Sequence, residues 1–537
     1  MKYRRGCRCI SKAANVCIAV VLVAAAPARA ADWLQFGYDA SHSGNNDEEI
    51  SIANNLASLQ LLYCAALPAV ADGAPVYLGG VEAADGPRNL LFVTTEDGHI
   101  VALDADSGTQ IWSQQPATGP ATKTTSSPAL DPNRQFVYSF GLDGKVHKYT
   151  VSDGSETVDD NWPEIATLKP EVEKGSSALA FATAADGHTY LYATTSNIID
   201  DAGDYQGHIT SIELSSGAQT VFNALCSNQP IHLGHGDDAA DCASEQAGIW
   251  SRPAAIYDAA NDRIYVTTGN GPYTGNIGGS EWGESVLALS PSLRDSTGES
   301  LTQPLDSYTP SQFDALNAGD LDLGVSAPTI LPVPANSKLK NVGVQVGKDG
   351  ILRLLNLDDL SGNNAPGHLD GELTQVTELD FFGFTSNQAA VWVDPTTGIG
   401  WYLLACEDAE YGFMIETGPL GVPRLVPAWS RMVGGTGGGS PVVADGIEFI
   451  VEQQTLTGLD PTTGIVKWSM PIAGVHWASP IVVDGKIFLA DGDATISAYG
   501  APVNETFAPM PNGSKPTAPT YPAPFFLTNR GGTNITP

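Results

Sequence analysis

Apolar and polar residues alternate in short runs between about residue 60 and residue 500, and each run stops at a glycine turn. "EDGHIVALDADSGTQIW" (96–112) reads as strand, Ser-Gly turn and second strand, closed by a tryptophan. The unit returns as "LDGKVHKYTVSDGSETV" (142–158), "YQGHITSIELSSGAQTV" (205–221), "KDGILRLLNLDDLSG" (348–362), "QTLTGLDPTTGIVKW" (454–468) and "DGDATISAYG" (491–500). Alternation over roughly four to eight residues is the period of a half-buried strand, and Asp-Gly, Ser-Gly and Thr-Gly pairs suit tight turns. Between the units, other strands open on Ser-Pro or Ala-Pro: "SSPALD", "SAPTIL", "GSPVVAD" and "ASPIVVD". With 57 Gly and 36 Pro, few helical windows survive, which excludes a helical bundle. Short strands recurring at blade length predict an all-β chain, an eight-bladed β-propeller. Its units open near residues 86, 127, 177, 249, 325, 386, 438 and 478. The ring must close, and "LLYCAALPAV" (61–70) is placed to lend the last blade an outer strand.

Both ends depart from this pattern. "MKYRRGCRCISK" is basic, "VCIAVVLVAAAP" is apolar but shorter than a membrane span, and Ala28-Arg29-Ala30 has the small-x-small form of a cleavage site. Residues 1–30 therefore read as a signal peptide, residues 31–500 as the propeller, and the Pro-rich 501–537 as an extended tail. Cys17 lies within the apolar run with no cleavage signal after it, which argues against a lipid anchor. The expected address is periplasmic or secreted, with no membrane span.

Removing the leader changes the charge. It holds six of the 26 Lys+Arg and none of the 60 Asp+Glu, leaving 20 against 60, or −40. Such a surface repels nucleic acid at neutral pH. In an acidic compartment the same chain, with nine His, becomes cationic. The composition is compatible with an acidophile's exported protein and with any other acidic exported protein. Cys64, Cys226, Cys242 and Cys406 remain, and Cys226 with Cys242 brackets a polar loop suited to a disulfide. Spacing does not say whether Cys64 and Cys406 pair. A homodimer is left open.

The "ALDADSGTQIW" and "LDPTTGIVKW" units resemble the tryptophan-docking repeats of the pyrroloquinoline-quinone (PQQ) type eight-bladed propellers, in which the blade-terminal Trp, here Trp112 and Trp468, packs on the next blade. Region 226–324 is similar to quinoprotein dehydrogenases. The resemblance makes Trp250 the floor under a quinone, Asn270 of "TGN" a ligand of calcium or a lanthanide, Asp320 and Asp322 of "DLD" a base and a metal ligand, and Lys348 of "GKDG" a contact to the quinone oxygens. Two hallmarks are missing: no two cysteines are adjacent, and where the family has a metal-binding Glu the chain reads "TSNIIDDAGDYQG", with Asp200, Asp201 or Asp204 as substitutes. Covalent haem attachment is absent too.

A cofactor-free branch of these propellers, the exported tetrathionate hydrolases, is similar in length, leader and composition. That resemblance implies a small anionic substrate, no cofactor, Asp320 or Asp322 as the acid/base group, and Lys348 and Arg252 on the sulfonate ends. PQQ with calcium or a lanthanide is the alternative, and a non-enzymatic scaffold of the outer-membrane assembly type is the second. Each residue also has a plain reading. Asp320 and Asp322 suit a turn, Trp250 suits blade packing, Asn270 suits a left-handed turn and Lys348 a solvated one. His232 and His235 in "HLGHGDDAAD" lack the spacing of a helical metal pair and read as loop.

Overall fold

A computed structural model describes residues 32–502 apart from 83–85, 116–117, 200, 236–239, 378–387, 407, 434–438 and 453. The expected leader, the tail beyond residue 502 and Asp200 lie outside the described residues.

Eight sheets follow one another along the chain, antiparallel except where Asn45–Asn46 joins Val442–Ala444 in parallel, and the fold is an all-β eight-bladed propeller. Blade 1 consists of Val76–Val81, Arg88–Thr94, Ile100–Asp104 and Gln110–Gln114. The first strands of blades 2 to 8 begin at Ala129, Ala180, Ile256, Thr329, Ala390, Val442 and Ile481. Blade 1 opens ahead of the position expected near 86, because Gly86-Pro87 stands between its first two strands rather than before them. Gln60–Ala66 pairs with Thr495–Gly500 and closes the ring as anticipated.

Blade contacts rest on the tryptophans. Trp112 ends blade 1, is buried, and donates its indole N–H to Val151 of blade 2 at 2.9 Å. Its ring lies over the Gly154 turn so closely that a Cβ there would meet it at 2.6 Å, so this turn needs glycine twice over, for space and for its φ of +71°. Trp468 of blade 7 packs on Tyr499 of blade 8. Trp429 does the same between blades 6 and 7, with its N–H on Pro461 at 2.9 Å.

One feature of the ring's interior has no counterpart in the repeat. Residues 33–46 run past the first strands of seven blades. Trp33 exchanges backbone hydrogen bonds with Tyr77, and the carbonyls of Leu34, Ala40, Ser43 and Gly44 accept the N–H groups of Leu130, Tyr257, Val391 and Val443. Gln35 accepts the Phe181 N–H, and Asn46 donates to Val482. Among the described residues no helix is long and apolar enough to cross a membrane.

Candidate active site

In an antiparallel blade, the connection entering the first strand and the turn joining the second to the third lie at the same end of the sheet. That shared end gathers the charged residues. Asp201, Asn270 and Lys348 stand beyond the second strands of blades 3, 4 and 5, and Asp320 and Asp322 in the connection from blade 4 to blade 5. Trp250 and Arg252 belong to the connection entering blade 4.

The helix Phe313–Gly319 ends on Asp320, whose backbone turns left-handed at φ 52°, a conformation Asp tolerates better than most residues. This turns the Asp320 carboxylate outward, 68% exposed, whereas Asp322 two residues on is 7% exposed. Asp320 Oδ1 accepts Asn270 Nδ2 at 2.8 Å and Lys348 Nζ at 2.9 Å. Asp322 Oδ1 accepts the Asn270 backbone N–H at 2.6 Å, and its Oδ2 pairs with the Lys348 ammonium. The Asn270 amide also donates to Asp201 at 3.1 Å. One amide and one ammonium thus hold three carboxylates together. Gly269 makes the approach possible: a Cβ there would stand 2.2 Å from Asp322 Oδ1 and 2.9 Å from Trp250 Nε1. Lys348 Nζ lies 5.3 Å from the centre of the Trp250 ring, within cation–π range.

The two aspartates titrate in opposite directions. Burial works to raise Asp320, but the Lys348 ammonium and the Asn270 amide outweigh it and hold the carboxyl below its ordinary range. In Asp322 burial wins over Lys348, and the carboxyl rises. Lys348 is itself raised, because the two aspartates overcome its burial, so it stays an ammonium. Glu284 adds a neutral carboxyl beside them. Burial first, then the Asp322 charge, pushes it up to about 8. Its Oε2 accepts the Leu323 N–H at 2.6 Å, and its Oε1 has no hydrogen-bond partner.

The structure therefore brings together Asp320, Asp322, Asn270, Lys348 and Trp250, and selects Asp201 over Asp204 as the third acid. Asp204 faces Gln206 and His235 instead. Asn270 is not left-handed, and its side chain is fully engaged through nitrogen. Arg252 does not touch the acids; it is buried against backbone carbonyls, with Trp477 between it and Trp250. Cys226 and Cys242 form the expected disulfide, while Cys64, exposed, and Cys406, buried, are not disulfide-bonded. His232 and His235 do not share a partner: His232 meets Gln219, and His235 lies between Asp204 and Glu171. Glu284, Lys174 and Trp477 were missed from the sequence: burial distinguishes the first two, and Trp477 is marked only by its place between Arg252 and Trp250.

A family profile described as outer membrane protein assembly factor BamB matches residues 61–221 and 423–502. Those two stretches are repeat-bearing blades with the docking tryptophans Trp112, Trp429 and Trp468. The likeness is to the PQQ-like repeat of those blades. The matched stretches leave out 222–422, which carries Asn270, Asp320, Asp322 and Lys348, so the likeness to that profile concerns the repeat and not the site. Among solved structures, the propeller resembles the quinohemoprotein alcohol dehydrogenase ADHIIG from Pseudomonas putida HK5, at 14% identity and a TM-score of 0.61, over 92% of this chain and 84% of that one. It resembles a europium-containing methanol dehydrogenase at 15% identity and a TM-score of 0.59, over 86% and 89%. A third is the quinohemoprotein alcohol dehydrogenase from Comamonas testosteroni, at 15% and 0.57, over 88% and 81%. At such identities the likeness is one of fold. No curated protein matches the chain in sequence.

Proposed function

We propose that this propeller is a hydrolase of a small dianion, with tetrathionate as the substrate and Asp320 as the base. The observation that carries the reading is the unequal pair: an exposed carboxylate kept ionised by an ammonium, two residues from a buried one that anchors the same ammonium. A base must reach water and stay deprotonated in acid, and of the two aspartates only Asp320 meets both needs. Water oxygen attacks one central sulfur of the substrate, an S–O bond forms, and the central S–S bond breaks. Thiosulfate leaves with the electron pair, and the proton of the water passes to Asp320. The remaining sulfur-bound hydroxyl fragment then breaks down to sulfur and hydrogen sulfate. Lys348 offsets the negative charge of the incoming dianion, and Asp322 is a positioning residue that fixes Lys348 and the Asn270 backbone.

The quinone and metal of the dehydrogenases whose fold it shares fit this donor set poorly. The centre of Asp201, Asp320 and Asp322, where a cation would bind, is taken by the Lys348 ammonium and the Asn270 amide, and Asn270 Oδ1 is a buried atom there without a hydrogen-bond partner. Trp477 stands 6.2 Å from Trp250 with the rings 34° apart, whereas a flat cofactor between two rings needs about 7 Å, twice the carbon–carbon contact distance. No step is therefore assigned to either group. The test is a paired assay on the leaderless protein: thiosulfate release from tetrathionate in acid, beside dye reduction with added PQQ and calcium. Thiosulfate without cofactor supports the hydrolase. PQQ-dependent dye reduction alone would replace it with the dehydrogenase reading.

A further inference from the structure

The same end of the propeller holds a second charged group, which the acids do not neutralise. Lys123 and Lys174 each precede a Ser-Ser pair entering blades 2 and 3, and Arg252 enters blade 4. Lys174, on the short strand Glu173–Gly175, is buried, and its Nζ donates to Ser176 Oγ at 2.7 Å. Arg252, 2% exposed, uses its terminal nitrogens on the carbonyls of Ser176, Asp72 and Thr125 at 3.0–3.1 Å, and its Nε has no partner. Among the described residues no carboxylate comes within ion-pair distance of Lys174 or Arg252. Asp72 is engaged elsewhere, with His476 at 2.7 Å and the Trp477 N–H at 2.8 Å. Glu96 is raised by burial, then by Asp72, against the pull of Lys123, His476 and Lys174. Buried charges are tolerated when paired, and two unpaired cations with an orphaned N–H define a place for an anion.

We propose that Lys174, Arg252 and Lys123 form an oxyanion subsite that binds a sulfate- or sulfonate-like group. A continuous row links it to the base: the Arg252 guanidinium lies 5.5 Å from the Trp477 ring, Trp477 6.2 Å from Trp250, and Trp250 5.3 Å from Lys348. The subsite would draw anionic substrate to the end of the propeller that carries Asp320; this second step rests on the hydrolase reading, and anion binding itself does not. Burial, then the charges of Lys123 and Arg252, bring Lys174 down to about 7, against the opposing pull of Asp72 and Glu96. Anion binding therefore strengthens as pH falls through that value, with a proton taken up at Lys174.

The experiment is calorimetric titration of the full chain with inorganic sulfate and with thiosulfate. It is run at about pH 6 and about pH 8.5, in two buffers of different ionisation enthalpy, to count protons. The expected result is one anion bound per chain, roughly tenfold weaker at the higher pH, with proton uptake near neutrality. Lys174→Met should weaken binding at least about tenfold and flatten the pH dependence. Lys123→Met, at a partly exposed position, should weaken binding less and retain the pH dependence. No binding by the wild-type chain, or unchanged binding by a folded Lys174→Met, would overturn the subsite. Sulfate binding without tetrathionate turnover would leave the subsite standing and remove the hydrolase. Turnover unaffected by Lys174→Met, with no sulfate bound, would do the reverse.

Discussion

Glu284 should make this protein less stable as pH rises, and the size of the effect follows from its surroundings. The carboxyl is buried next to Asp322, accepts one backbone N–H, and leaves one oxygen without a hydrogen-bond partner. Its folded-state pKa of about 8 lies above the ordinary 4.5. The folded state therefore holds the proton more tightly, the stabilisation is complete below the unfolded value, and it is lost as pH rises through the folded one. At 1.36 kcal/mol per pH unit, the interval corresponds to a loss on the order of 5 kcal/mol between about pH 4.5 and about pH 8. Glu410, also raised to about 8 by burial, and Glu448, raised by burial as well, add slope of the same sign. His232, lowered by burial from 6.5 to about 3, opposes them between those two values, where its contribution is lost as pH falls, so the net decline is clearest above about pH 6.5. Replacing Glu284 with Gln keeps the shape and the neutral state and removes the titration. Urea unfolding across this range should show wild-type stability falling from acid to neutral, with Glu284→Gln falling less, by a few kcal/mol. Equal slopes in the two proteins, or a wild type that gains stability toward pH 8, would refute the reasoning.

Three further substitutions probe the same frame. Gly269→Ala puts a methyl group against Asp322 Oδ1, so activity should fall sharply and stability by about 1–3 kcal/mol, measured by turnover and unfolding on one preparation. Lys348→Ala removes the ammonium from among Asp201, Asp320 and Asp322 and should open a lanthanide site; terbium emission excited through Trp250 is expected from the variant and not from the wild type. Trp112→Ala deletes the blade 1–blade 2 contact and should cost about 3–5 kcal/mol in denaturant unfolding, with the site at blades 3 to 5 unchanged.

Much of this architecture was legible because turns and alternation are local. Asp-Gly and Thr-Gly pairs marked the blades, and a tryptophan closing a strand marked the docking contact, so Trp112 and Trp468 landed where their pattern placed them. The segment 33–46 escaped notice because its hydrogen bonds go to seven different blades and leave no period along its own sequence. The helix Phe313–Gly319 is too short to show a helical repeat, which hid the reason Asp320 points outward. Lys174, before two serines, looks like any loop lysine; its interest lies in burial without a carboxylate partner, a property of the assembled ring. The same holds for the aspartate pair. The sequence placed both at the site, and exposure and opposite titration distinguish the two.

The central claim is that Asp320 is the base of a metal-free hydrolysis, and one comparison tests it most directly. Thiosulfate release from tetrathionate would be followed in chelator-treated wild type and in Asp320→Asn, with circular dichroism confirming that both are folded. The account predicts turnover in the wild type without added cofactor, and a fall of roughly a hundredfold or more in kcat in the variant. Turnover that is unchanged in Asp320→Asn, or that appears only when PQQ and a metal ion are supplied, would contradict it.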